Sequence, residues 1–228
     1  IPAAAAYCTK ALAGAIGFDN QTGPATSYLG YHTLLCSAAN TNLEIHDRLA
    51  HMGGLNGTLL TAQTVGIDLS TINAGGPVPA ARLGDAKYSD VMWFLEWYTA
   101  TGATASNATV NVTYDDGTTG NLAAIAIGGT AIAASQCRQL VPAVNGRFIR
   151  GVNSVTLSAS TGTVGSFGVT ATRQRASMSV PIANKLEVFD WAQLGFPENP
   201  NDSCLAGMLL STATFSGTIK GQGKIIHG

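Results

Sequence analysis

Four residues in one short stretch carry side chains that metal ions bind: Glu44, His46, Asp47 and His51. Imidazoles and carboxylates in such proximity are typical ligands of divalent metals. The two histidines are five positions apart, whereas the zinc-protease motif places its histidines four apart on one face of a helix. A separation of five puts the rings on different faces of a helix. We therefore favour a structural role for these residues, and we expect no metal and no other cofactor.

Acidic residues could also perform acid–base chemistry, and Asp115-Asp116 and Glu96 are the candidates. Glycoside hydrolysis needs two carboxyl groups that face each other across about 5–10 Å. Adjacent aspartates before Gly117 are typical of a tight turn, where their side chains point apart. Glu96 has no second acid that the sequence brings to it, so an ion pair with an arginine is favoured. The chain is therefore predicted not to be an enzyme.

Aromatic residues surround Glu96 and could instead form a platform on which a sugar stacks. In a strand, alternation puts Trp93 and Trp97 on one face and Phe94 and Tyr98 on the other. At least half of this set then belongs to a core. Glycan binding by a receptor-binding module is accordingly the alternative to a purely structural role.

The four cysteines are scattered, with no CxxC pair that would indicate a zinc knuckle or a thioredoxin-like site. They are Cys8, Cys36, Cys137 and Cys204. Buried thiols are the favoured interpretation, because cysteine behaves as a small hydrophobic residue. A disulfide between Cys8 and Cys36, which would hold the N-terminal segment, is the alternative.

Alternating apolar and polar residues predict the strands that position these side chains. The Asp115-Asp116-Gly117 turn predicts a hairpin. Short strands separated by Gly and Asn turns are typical of a mainly β fold, an antiparallel β-sandwich or a jelly-roll-like arrangement. The predicted strands are 90–99, 108–114, 121–127, 152–158, 167–172, 205–210 and 212–219.

Residues 1–75 differ from this pattern and are interpreted as an N-terminal extended arm or small subdomain. Leu43, His46, Leu49 and Ala50 are spaced as on one helical face, which predicts a short helix near residues 41–52. The stretch 76–85 begins with glycine and prolines, which interrupt helices and strands, and it therefore predicts a linker. The β-sandwich domain is expected over residues 76–228 and to end in an exposed tail, 220–228.

The composition limits the classes of partner. Charged residues make up 11% of the chain, well below the roughly 25% of a typical soluble domain. Low charge leaves a protein poorly protected against association, which suits a subunit that works inside an assembly. The net charge is −1 with no polybasic run, so nucleic-acid binding is not expected. No apolar run is long enough to span a membrane.

Several segments, taken in their order, resemble a family of structural proteins encoded among the virion genes of tailed phages. The segments cover about residues 45–220, and none of them is a catalytic signature. They are Asp47-Arg48-Leu49, Gly53-Gly54-Leu55, Thr61-Ala62-Gln63-Thr64, 93–104, 154–162, 165–169, Gly195-Phe196-Pro197, Cys204-Leu205 and Ser216-Gly217-Thr218.

The resemblance implies a head decoration or capsid cement subunit, located in the virion and assembled in the cytoplasm of the bacterial host. It implies contacts with the major capsid protein and with copies of the chain itself, as a homo-oligomer. We expect the arm over residues 1–40, the tail and two arginines to make intersubunit contacts. The specific residues are Ile1, Pro2, Tyr7, Tyr28, Tyr31, Arg147, Arg150, Lys220, Lys224 and Ile226.

Overall fold

The computed structural model describes residues 3–211 and 217–228, and these residues are almost all in strands and turns. Every strand pair with a defined register is antiparallel, so the predicted mainly β, antiparallel fold is confirmed. The elements are β1 (Ala6–Tyr7), β2 (Ser27–Cys36), β3 (Thr41–Leu55), β4 (Gln63–Asp68), α1 (Ala80–Leu83), β5 (Val91–Trp97), β6 (Asn107–Tyr114), β7 (Thr119–Asn121), β8 (Ile125–Ala126), β9 (Cys137–Leu140), β10 (Ile149–Leu157), β11 (Phe167–Val180), β12 (Leu186–Asp190), β13 (Glu198–Asn199), β14 (Leu205–Ser211) and β15 (Ile219–His227).

The first of two compact units takes the chain up to Cys8 together with Leu49–Arg173. Strands β4, β10 and β6 form one layer, with β7 and β8 beside β6. The facing layer contains β5 and β9 and the parts of β3 and β11 that belong to this unit. Trp97 stacks on Phe167 with ring centroids 5.6 Å apart, and both are fully buried between the layers. The predicted alternation of β5 and β6 is confirmed, because their apolar faces line this core.

The second unit consists of Thr9–Arg48 and Gln174–Gly228. Its four-stranded sheet is built around β2, with β15 along one edge of β2 and β12 and β13 along the other. One face of this sheet packs on its own core, in which Leu34 meets Ile45 of β3 and Met178 of β11. Each unit is therefore a sandwich-like arrangement with a separate hydrophobic core.

The predicted helix near residues 41–52 is wrong, because Thr41–Leu55 forms the long strand β3. Strand β14 pairs with the first half of β3, and β1 pairs with Ala50 and His51. Most residues on both faces of β3 are buried, so the sequence lacks the alternation that marks a half-exposed strand. The apolar residues at helical spacing are consequently core residues of a strand.

The predicted arm and tail are not separate from the fold, because strands within them pair with each other, although most of the tail is exposed as expected. Strand β2 lies within residues 1–40, and β15 covers most of 220–228. Their ladder runs from Cys36 opposite Ile219 to Ser27 opposite His227. The two compact units accordingly do not follow the predicted division into 1–75 and 76–228. Strand partners almost 200 residues apart decide this, and no local pattern reports them.

The predicted linker over 76–85 is a folded part of the first unit. Val78 and Leu83 are buried in its core, and the short helix α1 lies between them in the sequence. Arg82 is also buried, and its guanidinium donates hydrogen bonds to Tyr7 Oη at 2.7 Å and to the Cys8 carbonyl at 2.8 Å. Among the described residues, no helix has the length and apolar character needed to cross a bilayer.

The disulfide considered between Cys8 and Cys36 is not formed. Cys36 is buried as a thiol whose Sγ lies 3.5 Å from Thr41 Oγ1 and accepts a hydrogen bond from the Ala38 N–H. Cys8 Sγ lies 3.8 Å from the Ala6 carbonyl oxygen. Cys36 is thus a small core residue of the second unit, and Cys8 and Cys204 are also buried, as the favoured interpretation held, whereas Cys137 is exposed.

Candidate functional site

The sheet around β2 has one face that is not covered by its own core. We call this surface the outer face, and it belongs entirely to the second unit. Its members alternate with core residues along three neighbouring strands and are paired across the ladders. They are Tyr28, Tyr31, Thr33 and Leu35 of β2, Leu186, Val188 and Asp190 of β12, and Lys220, Gln222, Lys224 and Ile226 of β15.

A β-bulge in β2 sets which side chains point outward. Tyr31 pairs with Lys224, whereas Leu29 pairs with Ile225, so Gly30 is an extra residue in the ladder. Without the bulge, Tyr28 and Tyr31 would lie on opposite faces, since they are an odd number of positions apart. The added residue brings both tyrosines to the outer face. A Cβ on Gly30 would lie 3.0 Å from a methyl carbon of Ile226, so the position favours glycine.

Aromatic rings extend the outer face beyond β12. Trp191 follows β12 directly, with its ring centroid 5.5 Å from Tyr28 and 4.9 Å from Phe196. Trp191 is 39% exposed and Phe196 is 57% exposed. Val188 and Leu186 of β12 are also exposed, at positions opposite Thr33 and Leu35 further along β2. The result is an aromatic and aliphatic surface rather than isolated exposed residues.

The turn that carries these rings is rigidly built. The Asp190 backbone N–H donates to Gln193 Oε1, and the Gln193 N–H donates back to Asp190 Oδ1 at 2.8 Å. The Phe196 N–H donates to the Trp191 carbonyl at 3.1 Å. Phe196 has φ +53°, a left-handed conformation that is unusual for a bulky residue. Strained backbone of this kind clusters at binding sites, and here it presents Phe196 to solvent.

Charge on the outer face is concentrated at its edges. Lys220 and Lys224 project from the edge strand β15, and both are exposed. Asp190 of β12 lies across the sheet opposite Tyr31, and the exposed Glu198 of β13 lies opposite Tyr28. Between these edges, the outer-face residues of β2 and Leu186 and Val188 of β12 are uncharged. An apolar centre with a polar rim is the usual anatomy of a protein–protein interface.

Five of the residues predicted to make intersubunit contacts lie on this one surface. They are Tyr28, Tyr31, Lys220, Lys224 and Ile226. Their convergence follows from the pairing of β2 with β15, which the sequence did not reveal.

The other predicted contact residues lie elsewhere. Tyr7 belongs to the first unit, where Arg82 lies 5.0 Å from its ring centroid. Arg147 forms ion pairs with the two aspartates of the β6–β7 turn, and Arg150 forms one with Asp68. Ile1 and Pro2 lie outside the described residues.

The candidate metal ligands do not converge. His46 Nε2 lies 2.8 Å from Glu44 Oε2, whereas Asp47 forms an ion pair with Arg175 at 3.0 Å. His51 belongs to the first unit, and its Nε2 lies 3.0 Å from Tyr98 Oη. Within residues 3–211 and 217–228, no three His, Cys, Asp or Glu side chains are arranged to hold a metal ion. The stretch that suggested metal binding forms buried polar contacts in β3.

Two histidines of the second unit make its stability depend on pH. Burial lowers the pKa of His46 below its usual 6.5, although Glu44 opposes the shift, and burial also lowers the pKa of His32. The unfolded chain therefore takes up protons that the folded chain resists, and stability rises with pH across this range. We expect the free energy of unfolding to fall as pH is lowered from about 7.5 to 5.5.

Urea denaturation at constant ionic strength measures this dependence. The variant His32→Gln, compared with the unchanged chain, is expected to weaken it. A free energy of unfolding that stays constant or increases over the same interval would contradict the assignment of neutral, buried imidazoles.

The other candidate chemical residues have structural roles. Asp115 and Asp116 sit in the predicted hairpin turn, where Arg147 Nη2 reaches Asp116 Oδ2 at 2.6 Å. Glu96 Oε2 lies 3.8 Å from His51 Nδ1. Trp93 and Trp97 are almost fully buried, so neither forms a platform for a sugar.

Sequence reasoning missed Trp191 and Phe196 as members of the site. Two large aromatic residues in a Pro- and Gly-containing connection were the available signal, since such segments lie at the surface.

No protein-family model, no curated protein and no solved structure matches the chain. Functional reasoning therefore rests on the outer face and its chemistry.

Proposed function

We propose that the chain is a non-enzymatic structural subunit of a tailed-phage virion, a decoration or cement protein that docks on the capsid through its outer face. The observation that carries this proposal is the exposed aromatic and aliphatic surface beside five residues expected to contact other subunits. Monomeric soluble proteins rarely expose large contiguous apolar patches. The small share of charged residues, 11%, is a second feature that favours association with other subunits in an assembly.

The partner we assign to the outer face is the major capsid protein, through a patch that is apolar at its centre and acidic at one border. Tyr31 and Val188 supply uncharged contact area on the central strands. Lys220 and Lys224 lie along one edge, where carboxylates of the partner would complement them. Complementary charge at a rim selects the partner and its orientation, while the apolar centre supplies most of the affinity.

A subunit of this kind stabilises a shell by mass action. It binds the assembled capsid and not the dissociated subunits, so each bound copy shifts the equilibrium towards the assembled state. Copies arranged on the capsid lattice also meet one another, which accounts for the expected homo-oligomeric contacts. No catalytic group, metal or cofactor is needed for this role.

The pairing of β2 with β15 changes how docking is expected to occur. An unfolded arm that orders on binding would lose conformational entropy at that moment. The outer face is instead built on a folded sheet, in which β2 and β15 share nine paired positions, and on a turn held by hydrogen bonds. A preformed surface loses little entropy on docking, which favours tight attachment.

Cryo-electron microscopy of particles from the phage that encodes the chain tests this proposal. The expected result is regular density over the capsid shell into which the second unit fits with its outer face towards the capsid protein. Density confined to the tail tip, or absence of the chain from purified particles, would contradict the capsid role.

The alternative function is a tail-associated module that binds host glycans, and one observation favours it. Trp191 and Phe196 expose aromatic surface at a rigid turn, beside the polar side chains of Asp190 and Gln193. Sugar rings stack on such surfaces, and neighbouring polar groups hydrogen-bond their hydroxyls. Glycan-array binding that is lost in Trp191→Ala, together with tail-tip density, would favour this function over capsid docking.

A further inference from the structure

An apolar cavity of about 490 Å³, partly open to solvent, lies in the second unit on the face of the sheet opposite the outer face. Its volume falls within the roughly 300–1,000 Å³ that is usual for small-molecule sites. Apolar side chains from several elements form most of its wall. They are Ile16, Phe18, Leu29, Leu34, Leu43 and Ile45, with Met178, Ile219 and Ile225.

Two glycines of β15 line this cavity. Gly223 and Gly221 are exposed and are paired with His32 and Leu34 of β2. A Cβ on Gly221 would overlap the Thr33 carbonyl oxygen, so the backbone of β2 already occupies that position. The imidazole of His32 lies close over Gly223, because a Cβ at that position would be 2.8 Å from His32 Nε2.

The wall opposite the sheet is fixed in place. The Ile16 N–H donates to the Leu205 carbonyl at 2.8 Å, which ties the segment to β14. Lys10 Nζ donates to the Phe18 carbonyl at 3.0 Å and lies 5.2 Å from the centroid of that ring. Pockets that are formed before binding lose less entropy when a ligand enters.

One polar group inside this apolar wall lacks a partner. His32 Nδ1 is buried and forms no hydrogen bond with any described residue. Buried polar atoms are nearly always hydrogen-bonded, so this nitrogen is available to a polar group of a molecule in the cavity. Burial lowers the pKa of His32, and the ring is therefore neutral at pH 7, with one N–H donor and one acceptor.

The charges around the cavity limit what it can accept. Among the described lining residues there is no lysine or arginine, and Asp19 is the one acidic side chain. An anion would be desolvated without a cation to compensate it. A hydroxyl group both donates and accepts, so it pairs with the neutral imidazole in either tautomer.

We propose that this cavity binds a small, neutral, apolar molecule with a single hydroxyl group, such as a phenol, and that the hydroxyl hydrogen-bonds to Nδ1 of His32. The apolar part of the molecule contacts the apolar side chains that line the cavity. This function is additional to capsid docking and independent of it, because the cavity lies on the inner face of the sheet.

Titration of the full chain with 2-naphthol and with naphthalene tests the proposal, since the two probes differ only in the hydroxyl group. We expect saturable naphthol binding with a dissociation constant on the order of 10–100 µM. Naphthalene is expected to bind about tenfold more weakly. Binding of naphthol should also shift the ¹⁵N resonance of His32 Nδ1.

The variant His32→Phe keeps an aromatic ring and removes both nitrogens. It is expected to bind the two probes equally, whereas Tyr31→Phe on the outer face should retain the preference for naphthol. Equal affinity of the unchanged chain for both probes would overturn the hydrogen bond to His32. Absence of saturable naphthol binding up to about 1 mM would overturn the site itself. Both results are obtained on the unchanged chain, so they do not depend on the folding of a variant.

Discussion

Replacing Asp47 by alanine is expected to lower the free energy of unfolding by about 3–5 kcal/mol. Asp47 is completely buried, and its Oδ2 lies 3.0 Å from Nη2 of Arg175, whose side chain is 5% exposed. Its Oδ1 accepts a hydrogen bond from the buried Cys204 N–H at 2.8 Å. The substitution therefore removes the carboxylate that faces the buried Arg175 guanidinium and the oxygen that accepts from the Cys204 N–H. Thermal denaturation should show a decrease of about 6–20 °C in the midpoint.

Two further variants separate the loss of the ion pair from a general loss of packing. The double change Asp47→Leu with Arg175→Met removes both charges, so it should be less destabilising than Asp47→Ala alone. Arg147→Ala breaks a solvated pair in the β6–β7 turn and should change stability far less. A double variant as unstable as Asp47→Ala would show that the unpaired charge is not the main cost.

Local sequence patterns were sufficient for part of the first unit. The residues of β5 and β6 alternate regularly, and the Asp115-Asp116-Gly117 turn joins β6 to a strand that pairs with it a few residues later. Gly117 adopts φ +85°, which the turn requires and glycine allows. Because these partners are close in sequence and one face of each strand is apolar, the pattern indicates the hairpin, although the predicted strand 121–127 is divided into β7 and β8.

The second unit could not be predicted in this way because its determinants are distant in sequence. Glu44, His46 and Asp47 are polar yet buried, and their burial is stabilised in part by Arg175, which follows more than a hundred residues later. A polar strand buried on both faces has neither the alternation of a half-exposed strand nor an apolar run. The outer face depends likewise on the pairing of β2 with β15 and on a bulge at Gly30. Sequence reasoning therefore selected five of its residues without locating the surface that unites them.

The double variant Trp191→Ala with Phe196→Ala is expected to lower the affinity for capsids by about 10²–10⁴-fold, if the outer face docks as proposed. The two rings contact each other at 4.9 Å, and Tyr28 extends the cluster onto β2. Exposed aromatic side chains on a rigid turn dominate interface energetics, because they bury much apolar area with little loss of entropy. Co-sedimentation of purified protein with capsids that lack it measures the change.

The chain offers a matched control in the double variant Val141→Ala with Val144→Ala. These residues are exposed and apolar, at 64% and 48%, but they belong to the first unit. Capsid affinity should be unchanged in this control. Circular dichroism should show that both double variants remain folded, because neither pair lies in a core. Undiminished capsid binding by the Trp191 and Phe196 variant would exclude this cluster as the docking surface. A loss of glycan binding with capsid occupancy intact would instead favour the receptor-binding role, since the same rings would then serve as a stacking surface for sugars.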